Sequence, residues 1–317
     1  MVFQIRFVSV TVLSKWGAHL NLVAIIILSR GKCGLTKCIT RYLVVMAGAD
    51  LMVVVVCVVM EQINNIYNFL KLLLITPVCS VVLVLKIATM DFSVWLTVAF
   101  TFDRHVAICY QNLRKRYCTQ ETANVVIVTV GAVGGLRSIP AYFVVEPYAI
   151  IDGVPWRCVQ KPEFFTSPLW KAYELFDSIM TPLLPICFIL LFNALTARHI
   201  IAANRVRRGL RNNSEHQKDP EVEIRRKSII LLFALSANFV LLWMLYVIHS
   251  MNWQVENYFY TDKYFNTPKY IAQQFGFMLQ VLSTCTNTCI YGLTQRKFRE
   301  QLKNGVRYMA TLNGHIC

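Results

Sequence analysis

Asp50 stands in the middle of an apolar run, within Ala49-Asp50-Leu51, and Arg104 closes another inside Asp103-Arg104-His105. A charge among apolar side chains is expensive unless it is paired, hydrated or bound to an ion, so such residues mark candidate functional sites. An arginine beside an acid at the edge of an apolar run has two states, paired or reaching water, and can serve as a latch; an arginine that merely snorkels from a helix end looks the same in sequence. Lys86, earlier on the run that ends in Arg104, demands an anion: a ligand carboxylate, an acid such as Asp91, or a partner from another helix. Five residues separate Lys86 from Asp91, which puts them on rather different helix faces and favours the ligand or another helix. Catalytic chemistry finds little support. His19 and His249 are isolated, no histidine or acid cluster sits at ligand spacing inside an apolar run, and no CxxC pair points to zinc.

The elements that carry these residues follow from composition. Of 317 residues, 56% are hydrophobic and 15% charged, with a mean hydropathy of +0.48; such a chain needs lipid around it. A helix crossing the hydrocarbon core needs about 20 mostly apolar residues. Seven runs qualify, approximately 7–29, 42–63, 79–102, 123–143, 175–197, 227–251 and 268–292, the first and seventh being the least apolar. The expected fold is an all-α membrane protein, one seven-helix domain over 1–317, with a short amphipathic eighth helix at 294–303, where Phe298 and Leu302 are four apart and suit the inner leaflet. Lys15 and His19 interrupt the first run, which continues past Ile27 without a small-residue cleavage site, so it reads as the first span and not a signal peptide. No long segment is expected ahead of it.

Net charge is +15, but no aromatic-basic stripe accompanies it and nucleic acid is not an expected partner. The basic residues instead report topology. Four lie between Arg30 and Arg41, four from Arg104 to Ala123, nine from Arg198 to Lys227 and five after Gly292, which makes 22 of the 32. With seven spans these segments share one side, and the positive-inside bias makes it cytoplasmic, with the N-terminus extracellular and the C-terminus cytoplasmic. Arg211 to His216 is the most polar run and reads as flexible; its Asn212-Asn213-Ser214 acceptor pattern, on the cytoplasmic side, is a chance match. Most of the eleven cysteines sit in apolar stretches as small packing residues.

Asp103-Arg104-His105 followed by Val106-Ala107-Ile108-Cys109 resembles the Asp-Arg-Tyr motif of rhodopsin-like (class A) G-protein-coupled receptors, and the likeness extends over all seven spans. It implies a cell-surface, plasma-membrane receptor whose arginine, caged by its neighbouring acid at rest, meets a heterotrimeric G protein when released. It also implies a disulfide between Cys79 and Cys158, whereas two outer cysteines could equally be free. Phe239 and Trp243, i and i+4 on one face, match the family's aromatic switch or are plain packing. Asn287-Thr288-Cys289-Ile290-Tyr291 is similar to Asn-Pro-x-x-Tyr with Thr288 for proline, Leu245 replaces a kinking proline, Asn193 replaces a tyrosine, and the fourth-helix tryptophan has no counterpart. Asn21, Pro185 and Phe298 fit the family pattern.

In the family, the acid matching Asp50 joins a buried sodium ion with polar residues of helices three and seven, here Ser93, Thr284 and Asn287; a protonated or hydrogen-bonded structural aspartate is the alternative. No other cofactor is implied. A ligand site is expected around Lys86 with Tyr246, His249, Gln273, Gln274 and Phe277 in the outer halves of helices six and seven. The stretch from Trp95 through Cys109 is similar to an orphan group within the family, for which an aromatic amino acid or a peptide and the Gq class are the implied ligand and partner. Other readings remain: an odorant or chemosensory receptor of the same fold, a poorly coupling receptor and, further off, a transporter, for which internal repeats or a relay of membrane carboxylates are missing.

Overall fold

In the computed structural model the described residues are 2–63, 70–210, 220–256 and 268–304; the polar run Arg211 to His216 lies outside them. Seven long helices are present: α1 (Val2–Ser29), α2 (Lys37–Val53, continuing as a π-helix Val54–Ile63), α3 (Thr76–Cys109), α4 (Gln120–Ser138, ending in a 3-10 turn Ile139–Phe143), α5 (Pro168–Ser178 and Leu184–Leu210, joined by the π turn Ile179–Leu183), α6 (Pro220–Glu256) and α7 (Pro268–Thr294). A short α8 follows at 296–304. Two single-turn or two-turn helices, Gln111–Tyr117 and Pro162–Thr166, lie in the connections.

Two helices, α2 and α4, start ahead of their apolar runs on side-chain caps. Thr36 precedes α2 and its hydroxyl accepts from the Ile39 N–H at 3.4 Å; Thr119 does the same for α4, accepting from Thr122 at 3.1 Å. Prolines within the first two positions start α3 and α5, where a missing N–H costs nothing. The third helix does not stop at Phe102, as the apolar run suggests, but carries Asp103 to His105 on for another turn, because Val106 and Ile108 are buried too.

Among the described residues six helices, α1 to α6, are long and apolar enough to cross a membrane. The seventh long helix falls short in apolarity for a physical reason: it buries Gln274, Gln280, Ser283, Thr284 and Thr288 inside the bundle. Conversely, α4 turns Val125, Val128, Val133 and Leu136 outward, a face suited to lipid and not to water.

The helices close a ring. α1 packs on α2 and α7, α7 on α6, α6 on α5, and α3 runs through the middle against α2, α4, α5 and α6. Gly276 brings α7 against the α6 backbone, since a Cβ there would lie 3.3 Å from the Tyr246 Cα; small residues serve this purpose where no hydrophobic effect drives helices together. Two apolar clusters fill the ring: one around Tyr42, Leu43, Met46, Phe100 and Leu235, the other around Val94, Ile189, Phe239 and Trp243.

The all-α expectation holds apart from one addition. Between α4 and α5 the chain forms an antiparallel hairpin, β1 (Val145–Ile151) and β2 (Val154–Gln160). Its tip is Asp152-Gly153, with φ of 52° and 76°, the pair that a two-residue turn with left-handed backbone prefers. That dipeptide was the available signal; reading only for long apolar runs passes over it.

Candidate functional site: a bundle with two mouths

Asp103 and Cys79 mark opposite ends of α3, 24 residues apart, or about 36 Å at 1.5 Å per residue. At the Cys79 end the predicted disulfide is present: Cys79 is bonded to Cys158 of β2, with Cα atoms 6.3 Å apart. The Thr76 hydroxyl donates to the Arg157 carbonyl at 2.8 Å, and Ile75 bridges Trp156. The hairpin is therefore pinned to the top of α3 by three neighbouring contacts.

At the other end Arg104 is 4% exposed and Asp103 1%. The Arg104 Nε donates to Asp103 Oδ2 at 3.0 Å, and its Nη2 reaches the same oxygen, while the guanidinium carbon lies 5.9 Å over the Phe100 ring. Sequence reasoning missed two further partners of the acid. Cys38 donates its thiol to Asp103 Oδ1 at 3.3 Å, and Cys118 donates to the Asp103 carbonyl at 3.6 Å. Burial, with the neighbouring Asp103 charge second, pushes the Cys118 thiol up to about 12, so it remains a neutral donor. His105, in the place of the motif's tyrosine, points to α5: its Nδ1 meets the Thr196 hydroxyl at 2.8 Å and its ring stacks on Phe192. A cavity of about 600 Å³ opens here, lined by Arg104, Ala107, Ile108, Arg114, Lys115 and Ser228 among others. It is basic, and the arginine that would serve as a latch forms part of its wall.

Midway along the bundle Asp50 is 1% exposed. The Ser93 hydroxyl donates to its Oδ1 at 2.6 Å and the Asn287 amide to its Oδ2 at 2.8 Å, so three helices meet at one carboxylate. Thr284 is not part of this arrangement, because its hydroxyl donates to the Val281 carbonyl at 2.8 Å while its own carbonyl accepts from Asn21 at 3.1 Å. A carboxylate and a hydroxyl suit a hard cation, provided Asn287 turned its amide oxygen inward. No group of three or more His, Cys, Asp or Glu is gathered among the described residues. Thr288, where the motif carries proline, donates to Asn21 Oδ1 at 3.3 Å and so helps hold α7 to α1. Tyr291 is buried edge-on to Phe298 of α8.

Above Asp50, Phe239 and Trp243 stack with ring centres 5.1 Å apart, and Trp243 meets Tyr246 edge-on at 6.0 Å. α6 passes Leu245 as one helix of 37 residues. A break falls in α5 instead, where Thr181 leaves helical geometry (φ −148°, ψ 108°) ahead of Pro182 and Pro185.

A second cavity, of about 260 Å³, lies between this aromatic stack and the hairpin. Of the predicted ligand residues it gathers Tyr246, His249 and Gln273. Gln274 is buried beside it in α7, and Phe277 packs with Val58 and Val281 instead. Lys86 is half-buried between the lining residues Leu83 and Ile87. Asp91, one of the anions considered for Lys86, is engaged from elsewhere: Arg137 of α4 forms an ion pair with it, and the Thr181 hydroxyl donates to it. Arg137 was not foreseen, since nothing in one sequence aligns a residue of α4 with a residue of α3.

The ring of seven helices, the pinned hairpin and the buried arginine agree with the comparison to known families: residues 20–291 match the model of the 7 transmembrane receptor (rhodopsin family). That match runs from Leu20, within α1, to Tyr291 of α7 and covers most of the chain. The chain belongs to the rhodopsin family of seven-transmembrane receptors, and is a multi-pass membrane protein of that class.

Proposed function

We propose that this receptor binds a small extracellular ligand in the cavity beneath the hairpin and activates a heterotrimeric G protein at the Arg104 end. One observation carries the reading: Arg104 is buried against Asp103 at the end of α3 opposite the Cys79–Cys158 bond, and a cavity lies at each end. The Arg104 mouth is the cytoplasmic one, because the segments flanking it hold most of the basic residues; the N-terminus is then extracellular. In the described arrangement the latch is shut. Ligand at the far mouth would shift the population toward a state in which Arg104 leaves Asp103 for the partner.

Within this reading, Phe239 and Trp243 transmit ligand occupancy, and Asp50 with Ser93 and Asn287 would hold a sodium ion that favours the shut state, Thr284 joining only if its hydroxyl turned from Val281. Lys86 would take a ligand carboxylate. Trp95 through Cys109 resembles the orphan group that includes probable G-protein coupled receptor 139, which supports an aromatic amino acid or a peptide as ligand and the Gq class as partner. Poor coupling is the second reading, favoured by the unkinked α6 at Leu245 and by Asn193, whose buried Oδ1 lacks a hydrogen-bond partner among the described residues. The function is that of a receptor, not an enzyme.

A cell-based screen of G-protein activation with amino acids and peptides tests it. The expected result is a response through at least one G-protein class that is lost in Arg104→Ala, and a response to any carboxylate ligand that is lost in Lys86→Ala. Responses that survive Arg104→Ala in full would contradict the proposal.

A further inference from the structure

Arg104 and Asp103 are joined in a way that stops short of their strongest geometry. A guanidinium and a carboxylate pair best as a fork, each oxygen taking its own N–H. Here the Arg104 Nε, at 3.0 Å, and its Nη2 both reach Oδ2. The other oxygen is taken from a different helix: the Cys38 thiol of α2 donates to Oδ1 at 3.3 Å. Cys38 is 2% exposed and Asp103 1%, so water scarcely competes for this oxygen. Tyr42 and Tyr117 lie within electrostatic reach of the carboxylate, but among the described residues only Arg104 and Cys38 donate to it. Cys118 donates to the backbone carbonyl of Asp103 and leaves both carboxylate oxygens alone.

A contact moves a two-state equilibrium only through the difference it makes between the states. While Arg104 is held, loss of the thiol frees Oδ1 to turn to the guanidinium and complete the fork, so the shut state recovers what it gave up. Once Arg104 has left, nothing offers the same exchange: the carboxylate is buried and charged, and an acceptor stranded in that way costs free energy. The Cys38 donor is therefore worth more with the arginine gone than with it in place. A thiol is a weak donor beside a hydroxyl, which makes the effect one of degree: a stronger donor at this position loosens the latch and a non-donor tightens it.

We propose that Cys38 is a positioning residue of the latch: by occupying Asp103 Oδ1 it keeps Arg104 from forking and receives the carboxylate when the arginine departs, so that α2 sets how readily the receptor couples. This rests on the receptor reading above.

The test is guanine-nucleotide exchange on purified Gq, Gi and Gs heterotrimers by the full-length receptor in nanodiscs without ligand, comparing Cys38→Ser with Cys38→Ala and running Asp103→Asn alongside. Cys38→Ser is expected to exchange roughly tenfold faster than Cys38→Ala, with the unaltered receptor between them. Packing alone would rank the two the other way, because a buried hydroxyl without a partner is worse than a methyl group. If either variant does not fold, Cys38→Thr against Cys38→Val, close in size and differing in the hydroxyl, makes the same comparison. A hydroxyl variant no faster than its apolar counterpart overturns the proposal. Asp103→Asn separates the two claims. Faster exchange in Asp103→Asn with equal rates in the Cys38 variants removes the role of Cys38 alone, whereas no acceleration in Asp103→Asn removes the latch and the role of Cys38 with it.

Discussion

At the scale of single residues, what a sequence shows best is cost. Asp50 and Arg104 could be singled out because a charge in an apolar run must be compensated, and the structure supplies compensation at both: Ser93 and Asn287 for the first, Asp103 for the second. The compensating partners are less legible, since they come from other helices. Ser93 and Asn287 were reached only through the family resemblance, and Thr284, reached the same way, points elsewhere. The thiols of Cys38 and Cys118 around Asp103 were passed over because a cysteine in an apolar stretch reads as packing. Asp50→Ala leaves the Ser93 and Asn287 donors without an acceptor, at about 1–3 kcal/mol for each one stranded. The solubilised receptor should therefore melt several degrees lower. Sodium chloride should stabilise the unaltered receptor relative to choline chloride and leave Asp50→Ala unmoved; equal melting of the unaltered receptor in the two salts would remove the sodium site.

At the scale of elements, the seven helices were readable because each must satisfy its own backbone in lipid, which demands length and apolarity together. Their ends were not, because caps and polar turns extend beyond the apolar run, as at Thr36 and Thr119. The hairpin was missed although Asp152-Gly153 announces its turn. The break at Thr181 was not legible, because a proline in a helical run signals a kink without saying which residue leaves helical geometry. Two predictions belong here. Arg137→Met strands Asp91 as an unpaired buried charge, a loss of about 3–5 kcal/mol for a broken buried pair, and should abolish surface expression. Asp91→Asn combined with Arg137→Met should recover most of it; failure of the double variant to recover would show that the pair does not explain the loss. Cys158→Ser releases the hairpin from α3, and removal of a native bond of this kind costs about 2–5 kcal/mol. Radioligand or thermal-shift binding at the outer cavity should then weaken, while helicity measured by circular dichroism stays unchanged.

At the scale of the whole molecule, the topology expected from seven spans and the positive-inside bias puts 22 of 32 basic residues in cytoplasmic segments. An epitope placed at the N-terminus should bind antibody on intact cells, and one at the C-terminus only after permeabilisation; the reverse pattern would invert the account. A closed ring with a cavity at each end and a polar centre at Asp50 is an arrangement in which occupancy at one mouth can bias the other through packed helices. The central claim is that Arg104, held by Asp103, is what such a bias releases. The most direct measurement is guanine-nucleotide exchange on a purified heterotrimeric G protein by the full-length receptor in nanodiscs without ligand. Asp103→Asn, which weakens the hold, should exchange several-fold faster than the unaltered receptor, and Arg104→Ala should fall to the rate without receptor. Identical rates for all three would contradict the account.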